Sequence, residues 1–82
     1  MRFDVALHEL RLFKSRTQSS EAIRSGAARI GGQVVKPSHE LRVGDRITLR
    51  LGTHERTVEV LGLPARALSK DAAKELLRDV TA

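Results

Sequence analysis

Lys14–Pro37 reads KSRTQSSEAIRSGAARIGGQVVKP, and the change of hydrophobic period inside it decides the fold. Lys14-Ser15-Arg16-Thr17 is a polar break. Thr17 is the expected N-cap of a helix over about 18–25, with Glu21 in its early turns and Ala22 and Ile23 facing inward. Gly26 then suits the left-handed position that ends a helix, because it has no β-carbon to clash there. Beyond it the period falls from 3.6 to 2. Ala28-Arg29-Ile30 and Gln33-Val34-Val35 flank Gly31-Gly32, which predicts a hairpin with a two-residue turn. Lys36-Pro37-Ser38 ends the second strand, since proline cannot donate to a ladder.

Working outward, Phe3, Ala6, Leu7, Leu10 and Phe13 recur at helical spacing and predict a first helix, with Asp4 in its first turn. The short break before the next helix makes the two a helical hairpin. Val43-Gly44-Asp45 reads as a turn. Ile47, Leu49 and Leu51 alternate with Arg46, Thr48 and Arg50, which predicts a strand over 46–51. Val58 and Val60 alternate with Thr57 and Glu59 in a strand over 55–61, joined to it by Gly52-Thr53-His54. Ser69 is the expected cap of a last helix carrying the stripe Ala73, Leu76, Leu77 and Val80. The expected class is α+β, in the order α–α–β–β–β–β–α. The N-terminal helical hairpin packs on a small twisted antiparallel sheet, with a C-terminal helix. Residues 1–62 form the main unit and 63–82 an extension with a short helix.

The chain has 82 residues, enough for one domain with a modest core. No cysteine is present, so there is neither a disulfide framework nor a thiolate metal site. Three scattered histidines offer no metal-ligand spacing, and neither a metal nor a cofactor is expected. No apolar run has the length of a membrane span and no signal-peptide pattern opens the chain, so no membrane partner and a cytoplasmic location are expected. Catalysis is not expected either. Ser15, Ser19, Ser20, Ser25, Ser38 and Ser69 lie in no nucleophile-elbow sequence, and His8, His39 and His54 have no recognisable partners. Gly31-Gly32 is a turn and not a phosphate cradle, for no Gly-Lys-Ser/Thr follows.

The charge points to binding. The net charge is +5, from 15 Lys and Arg against 10 Asp and Glu, and residues 51–82 are neutral. The whole excess therefore lies in residues 1–50, and within 11–36 six bases face only Glu21. Such asymmetry is the footprint of a polyanion-binding face. Arg11, Lys14, Arg16 and Thr17 lie where one helix ends and the next begins, so basic side chains flank a helix N-terminus; both attract phosphate. Arg24, Arg2 and Lys36 extend the patch. Both Phe side chains fall at core positions, and there is no Trp or Tyr, so no aromatic platform exists for stacking bases. Recognition through phosphate, 2′-hydroxyl and shape suits structured RNA better than single strands.

Six motifs in order carry a resemblance over about residues 1–50: Arg2-Phe3-Asp4 with Leu7, Lys14-Ser15-Arg16-Thr17, Ile23-Arg24-Ser25-Gly26, Ile30-Gly31-Gly32, Lys36-Pro37-Ser38 and Val43-Gly44-Asp45-Arg46-Ile47. The chain resembles the S4-type RNA-binding domain, and among its members the small bacterial proteins of the heat-shock protein 15 kind. The resemblance implies an RNA-binding helical hairpin in residues 1–62. It also implies ribosomal RNA and tRNA as partners on the large ribosomal subunit, in ribosome rescue or nascent-chain quality control. By position, Arg2 and Arg16 match the family's leading RNA contacts, and Lys14, Thr17, Arg24 and Lys36 supporting ones. Gly31-Gly32 replaces the family's usual Asn-Gly, and Val5-Ala6 stands where Lys and Trp are frequent. The chain is expected to act as a monomer. Two other readings fit the residues: a targeting module for a separate RNA-modifying enzyme, and a basic module for protein partners.

Overall fold

In the computed structural model, which describes residues 1–65 and 68–81, the N-terminal apolar spacing forms helix α1, Phe3–Glu9. Phe3, Ala6, Leu7 and Leu10 are buried on its inner face. The helix stops short of the expected Phe13. Leu10 is its C-cap, Arg11 takes a left-handed φ of 61°, and the N–H groups of Leu12 and Phe13 turn back to the Leu7 carbonyl at 3.0 and 3.4 Å. Leu12 and Phe13 thus reach the core from a tight turn. Arg2, the N-cap, offers no side-chain cap. The free N–H groups of the first turn are met instead from far along the chain: Phe3 donates to His39 O at 2.8 Å and Asp4 to Pro37 O at 3.1 Å.

Helix α2 spans Arg16–Ser25, and its N-cap is Ser15, not the expected Thr17. Ser15 has extended backbone, and its Oγ accepts from Gln18 N at 3.1 Å. Both residues are competent caps, but the Ser15 hydroxyl is the one within reach of a free N–H, so Arg16 and Thr17 enter the first turn. Gly26 ends α2 in the left-handed region, φ 82°, as expected.

Strand β1, Ala28–Ile30, pairs antiparallel with β2, Arg46–Leu51, in the register Ala28↔Leu49 to Ile30↔Ile47. Gly31 and Gly32 both take positive φ, 58° and 79°, in the expected turn. The strand expected at Gln33–Val35 does not form beyond a single bridge, Ile30↔Gln33. The chain leaves the sheet there to bring the Pro37 and His39 carbonyls to α1, and Val34 is left exposed. Strand β3, His54–Val60, completes the alternating hairpin with β2, from Arg46↔Glu59 to Leu51↔His54.

The expected last helix is also corrected. Ser69 does cap a helix, accepting from Ala72 N at 3.3 Å, but α3 covers only Lys70–Lys74. Leu77–Asp79 is instead strand β4, paired with β3 from Val58↔Asp79 to Val60↔Leu77, so the sheet order is β1-β2-β3-β4. Two demands override the helical stripe. Val60 and Leu61 leave the open side of β3 needing partners, and Leu61 N finds Leu76 O at 2.8 Å. Leu76 and Leu77 then pack on the core from the sheet. Ile23, Ala28, Leu41, Ile47, Leu49, Val58 and Val60 join the α1 residues in one cluster between hairpin and sheet.

Gly26 tests the hairpin exit. A β-carbon there meets nothing nearer than the Val34 side chain at 3.6 Å, so the cost of adding one is conformational. We expect Gly26→Ala to lose about 1–2 kcal/mol in urea unfolding, with a smaller loss for Gly26→Asn, which tolerates left-handed backbone.

Candidate nucleic-acid interface

Asp4 lies three residues before Leu7 and therefore shares the inward face of α1; it is only 3% exposed. A lone carboxylate so buried is costly, and this one is surrounded by donors. Arg2 grips it with both arms of its fork, Nε to Oδ1 and Nη2 to Oδ2, each at 3.1 Å. Val5 N donates at 2.8 Å, Ser20 Oγ at 3.4 Å, and Arg16 Nη2 stands 4.0 Å away. Burial pushes the carboxyl pKa up, but the Arg2 and Val5 hydrogen bonds and the two positive charges outweigh it, so the group lies below its ordinary value of 3.8. The arginines themselves remain more than half exposed. One buried negative charge thus orients two solvent-facing guanidinium groups drawn from different helices.

A polar cleft opens beside this cluster, lined by Asp4, Arg16, Thr17, Ser20, Glu21 and Arg24. The α2 members follow from helical spacing, since Thr17, Ser20, Glu21 and Arg24 fall on the face opposite buried Ser19, Ala22 and Ile23. Of the expected binding residues, Arg2, Arg16, Thr17 and Arg24 are therefore brought together. Lys14 is exposed just ahead of the Ser15 cap, with its backbone N–H on Gln18 Oε1 at 3.3 Å. Lys36 is exposed next to Pro37, whose carbonyl holds Asp4 N, so the backbone carries it to the start of α1. Arg11 is not part of this group. Its Nε donates to Leu68 O at 2.6 Å, and its side chain lines a second cleft toward α3 and β4.

Asp4 and Ser20 were missed as site members by the reading of charge, because that reading sought cations. The signal was present: an acid on an apolar face, two residues after an arginine. Several cations away from this cleft are paired with acids. Arg56 pairs with Asp79 and Arg78 with Glu59, at 2.9 and 2.8 Å, and Arg29 with Glu55. Lys14, Arg24 and Lys36 have no ion pair among the described residues.

Asp4→Asn keeps the shape and removes the charge, and we expect it to lose about 1–3 kcal/mol at neutral pH. A depressed folded-state pKa stabilises fully above the ordinary 3.8 and is lost as the pH falls through the folded value. The wild-type unfolding free energy measured from pH 7 to pH 2 should therefore decline more steeply below pH 4 than that of Asp4→Asn.

Comparison with known proteins places this geometry. Residues 1–47, which contain both helices, the Asp4 cluster and the turn into β2, match the S4 domain family. The RQC P-site tRNA stabilizing factor of Bacillus subtilis is 36% identical over 73 residues, covering 89% of this chain and 85% of that protein. That of Streptococcus pneumoniae is 33% identical over 73 residues, covering 89% and 83%. Heat shock protein 15 of Escherichia coli K12 is 38% identical over 60 residues, but these are 73% of this chain and 45% of that protein. Among solved structures, a trimeric heat shock protein 15 of Vibrio cholerae superposes with a TM-score of 0.91 at 29% identity, covering 98% of this chain and 81% of that one. The family match over residues 1–47 and the identity to these relatives lead to one conclusion: the chain belongs to the S4 domain family.

Proposed function

We propose that this protein binds structured RNA of the large ribosomal subunit, ribosomal RNA together with tRNA, and serves ribosome rescue or nascent-chain quality control. One observation carries the reading. The buried Asp4 carboxylate fixes Arg2 and Arg16 at the mouth of an open polar cleft, leaving their outer N–H groups for phosphate. Two relatives bear the name RQC P-site tRNA stabilizing factor, which supports tRNA as a partner. In this reading the protein is a cytoplasmic monomer that catalyses nothing. Residues 1–62 supply the RNA-binding unit, and 63–82 an extension that braces it.

The physics favours backbone contact over base reading. Phe3 is fully buried and Phe13 is partly buried with its ring packed on the core, so neither stands out as a stacking platform. Arg2, Lys14, Arg16, Arg24 and Lys36 instead offer positive charge around the α1–α2 junction, and Thr17 adds a hydroxyl for phosphate or 2′-OH. Arg11 is left out of this face because its guanidinium is engaged with Leu68 O on another side of α1. Glu21 lines the same cleft, where it repels phosphate that strays along α2 and helps fix the path of the backbone.

Filter binding to ribosomal RNA fragments and tRNA tests the proposal. If about four to six phosphates are neutralised, log K falls against log salt with a slope near 3–5. Arg2→Ala and Arg16→Ala should each weaken binding by about 1–3 kcal/mol and lower the salt slope. Wild-type protein should sediment with large subunits and scatter light as a monomer. A flat salt dependence with unchanged mutant affinities overturns RNA binding by this face. Co-purification with an RNA-modifying enzyme, without the large subunit, favours the targeting-module reading instead.

A further inference from the structure

The molecule has a second basic cleft, and its walls differ from those of the first. It lies between the end of α1, strand β3, helix α3 and strand β4. Leu10, Leu12 and Leu77 contribute apolar walls, and Arg11, Arg56, Lys70 and Lys74 bring positive charge. The one acid in it among the described residues, Asp79, is already engaged: Arg56 Nε donates to it at 2.9 Å and Thr81 N at 2.9 Å. Hydrogen bonds from Thr81, then Arg56, hold its carboxyl down to about 2. Asp79 therefore neutralises Arg56 and not the lysines. Lys70 and Lys74, one helical turn apart on α3, have no ion pair among the described residues.

We propose that this cleft docks an acidic protein segment carrying an apolar side chain. The argument rests on two features taken together. Charge complementarity calls for an anion, because Lys70, Lys74 and Arg11 face one spent carboxylate. The leucine walls call for an apolar side chain; a phosphodiester backbone gains nothing from them, whereas the Arg16 cleft, which has no leucine, suits phosphate. An acidic peptide with an apolar side chain meets both needs at once: the apolar group against the leucines and carboxylates on the lysines.

Arg11 closes one end of this site. Its left-handed backbone and its hydrogen bond to Leu68 O bring the C-terminal segment against the hairpin, so the cleft exists only while both parts are docked. The inference is independent of RNA binding by the Arg2–Arg16 face, which lies on other residues.

The test is amide NMR of the full ¹⁵N-labelled chain titrated with the peptide Ac-Glu-Asp-Leu-Glu-Asp-NH₂. The expected result is saturable shifts at Leu10–Leu12, Lys70–Lys74 and Leu77–Asp79. Replacing the peptide Leu by Ser should weaken binding about fivefold or more, and Lys70→Gln with Lys74→Gln about tenfold. The double variant should keep the wild-type affinity for ribosomal RNA in filter binding, which separates this proposal from the RNA reading. Absence of saturable shifts at millimolar peptide overturns it. So does equal binding of the Leu and Ser peptides, which reduces the effect to charge alone. Displacement of the peptide from these amides by an RNA hairpin also overturns it, by making the cleft a further RNA surface.

Discussion

The interaction on which the rest of this structure depends is the burial of the Asp4 carboxylate between two arginines. Four donors reach it within 3.4 Å, and a second guanidinium stands 4.0 Å away. The contacts come from Arg2 ahead of α1, from α1 itself and from α2, so the angle between the helices and the aim of the arginines are fixed by the same atoms. Removing a cation leaves a buried charge unpaired, and removing the carboxylate leaves like charges crowded together. Stability and the electrostatics of this basic face are therefore not separable at this point.

The neighbouring backbone shows a second instance of the same economy. Helix α1 has only seven residues and no side-chain cap, yet its first N–H groups are satisfied by Pro37 O, His39 O and the Asp4 side chain. The loop that supplies those carbonyls also carries Lys36 to the start of the helix. This explains why Gln33–Val35 abandons the sheet: a longer strand there would take the Pro37 and His39 carbonyls away from α1.

Local pattern was legible wherever local forces decided the structure. The α1 stripe as far as Leu10, the Gly26 stop, the Gly31-Gly32 turn and the β2–β3 alternation appear where their residues lie. Arg2, Arg16, Thr17 and Arg24 were selected from charge and position, and the structure gathers them in one place. What the pattern could not convey is competition between distant segments. Ala73, Leu76, Leu77 and Val80 have sound helical spacing, but the unpartnered side of β3 captures Leu77–Asp79, and three residues are too few to display a strand period. Ser15 and Thr17 are equally good caps by composition, and the choice between them rests on which hydroxyl meets Gln18 N. Asp4 looked like a dipole-favoured acid in a first turn, for its partner Arg16 is twelve residues away and on another helix.

Arg11 carries the same lesson for charge. Counted along the chain it belongs to the basic window 11–36, but it adopts a backbone conformation that side chains other than glycine, asparagine and aspartate rarely take. The strain is tolerated because Leu10 and Leu12 on either side both turn inward, and because the guanidinium gains the Leu68 carbonyl. A glycine would relieve the strain and lose that bond, and with it a link between hairpin and C-terminal segment. The side chain therefore joins the two parts, and because its partner is a carbonyl its charge stays in the second cleft. Net charge alone treats it as equal to Arg24, whereas its hydrogen bond and its cleft assign it to a different side of the protein.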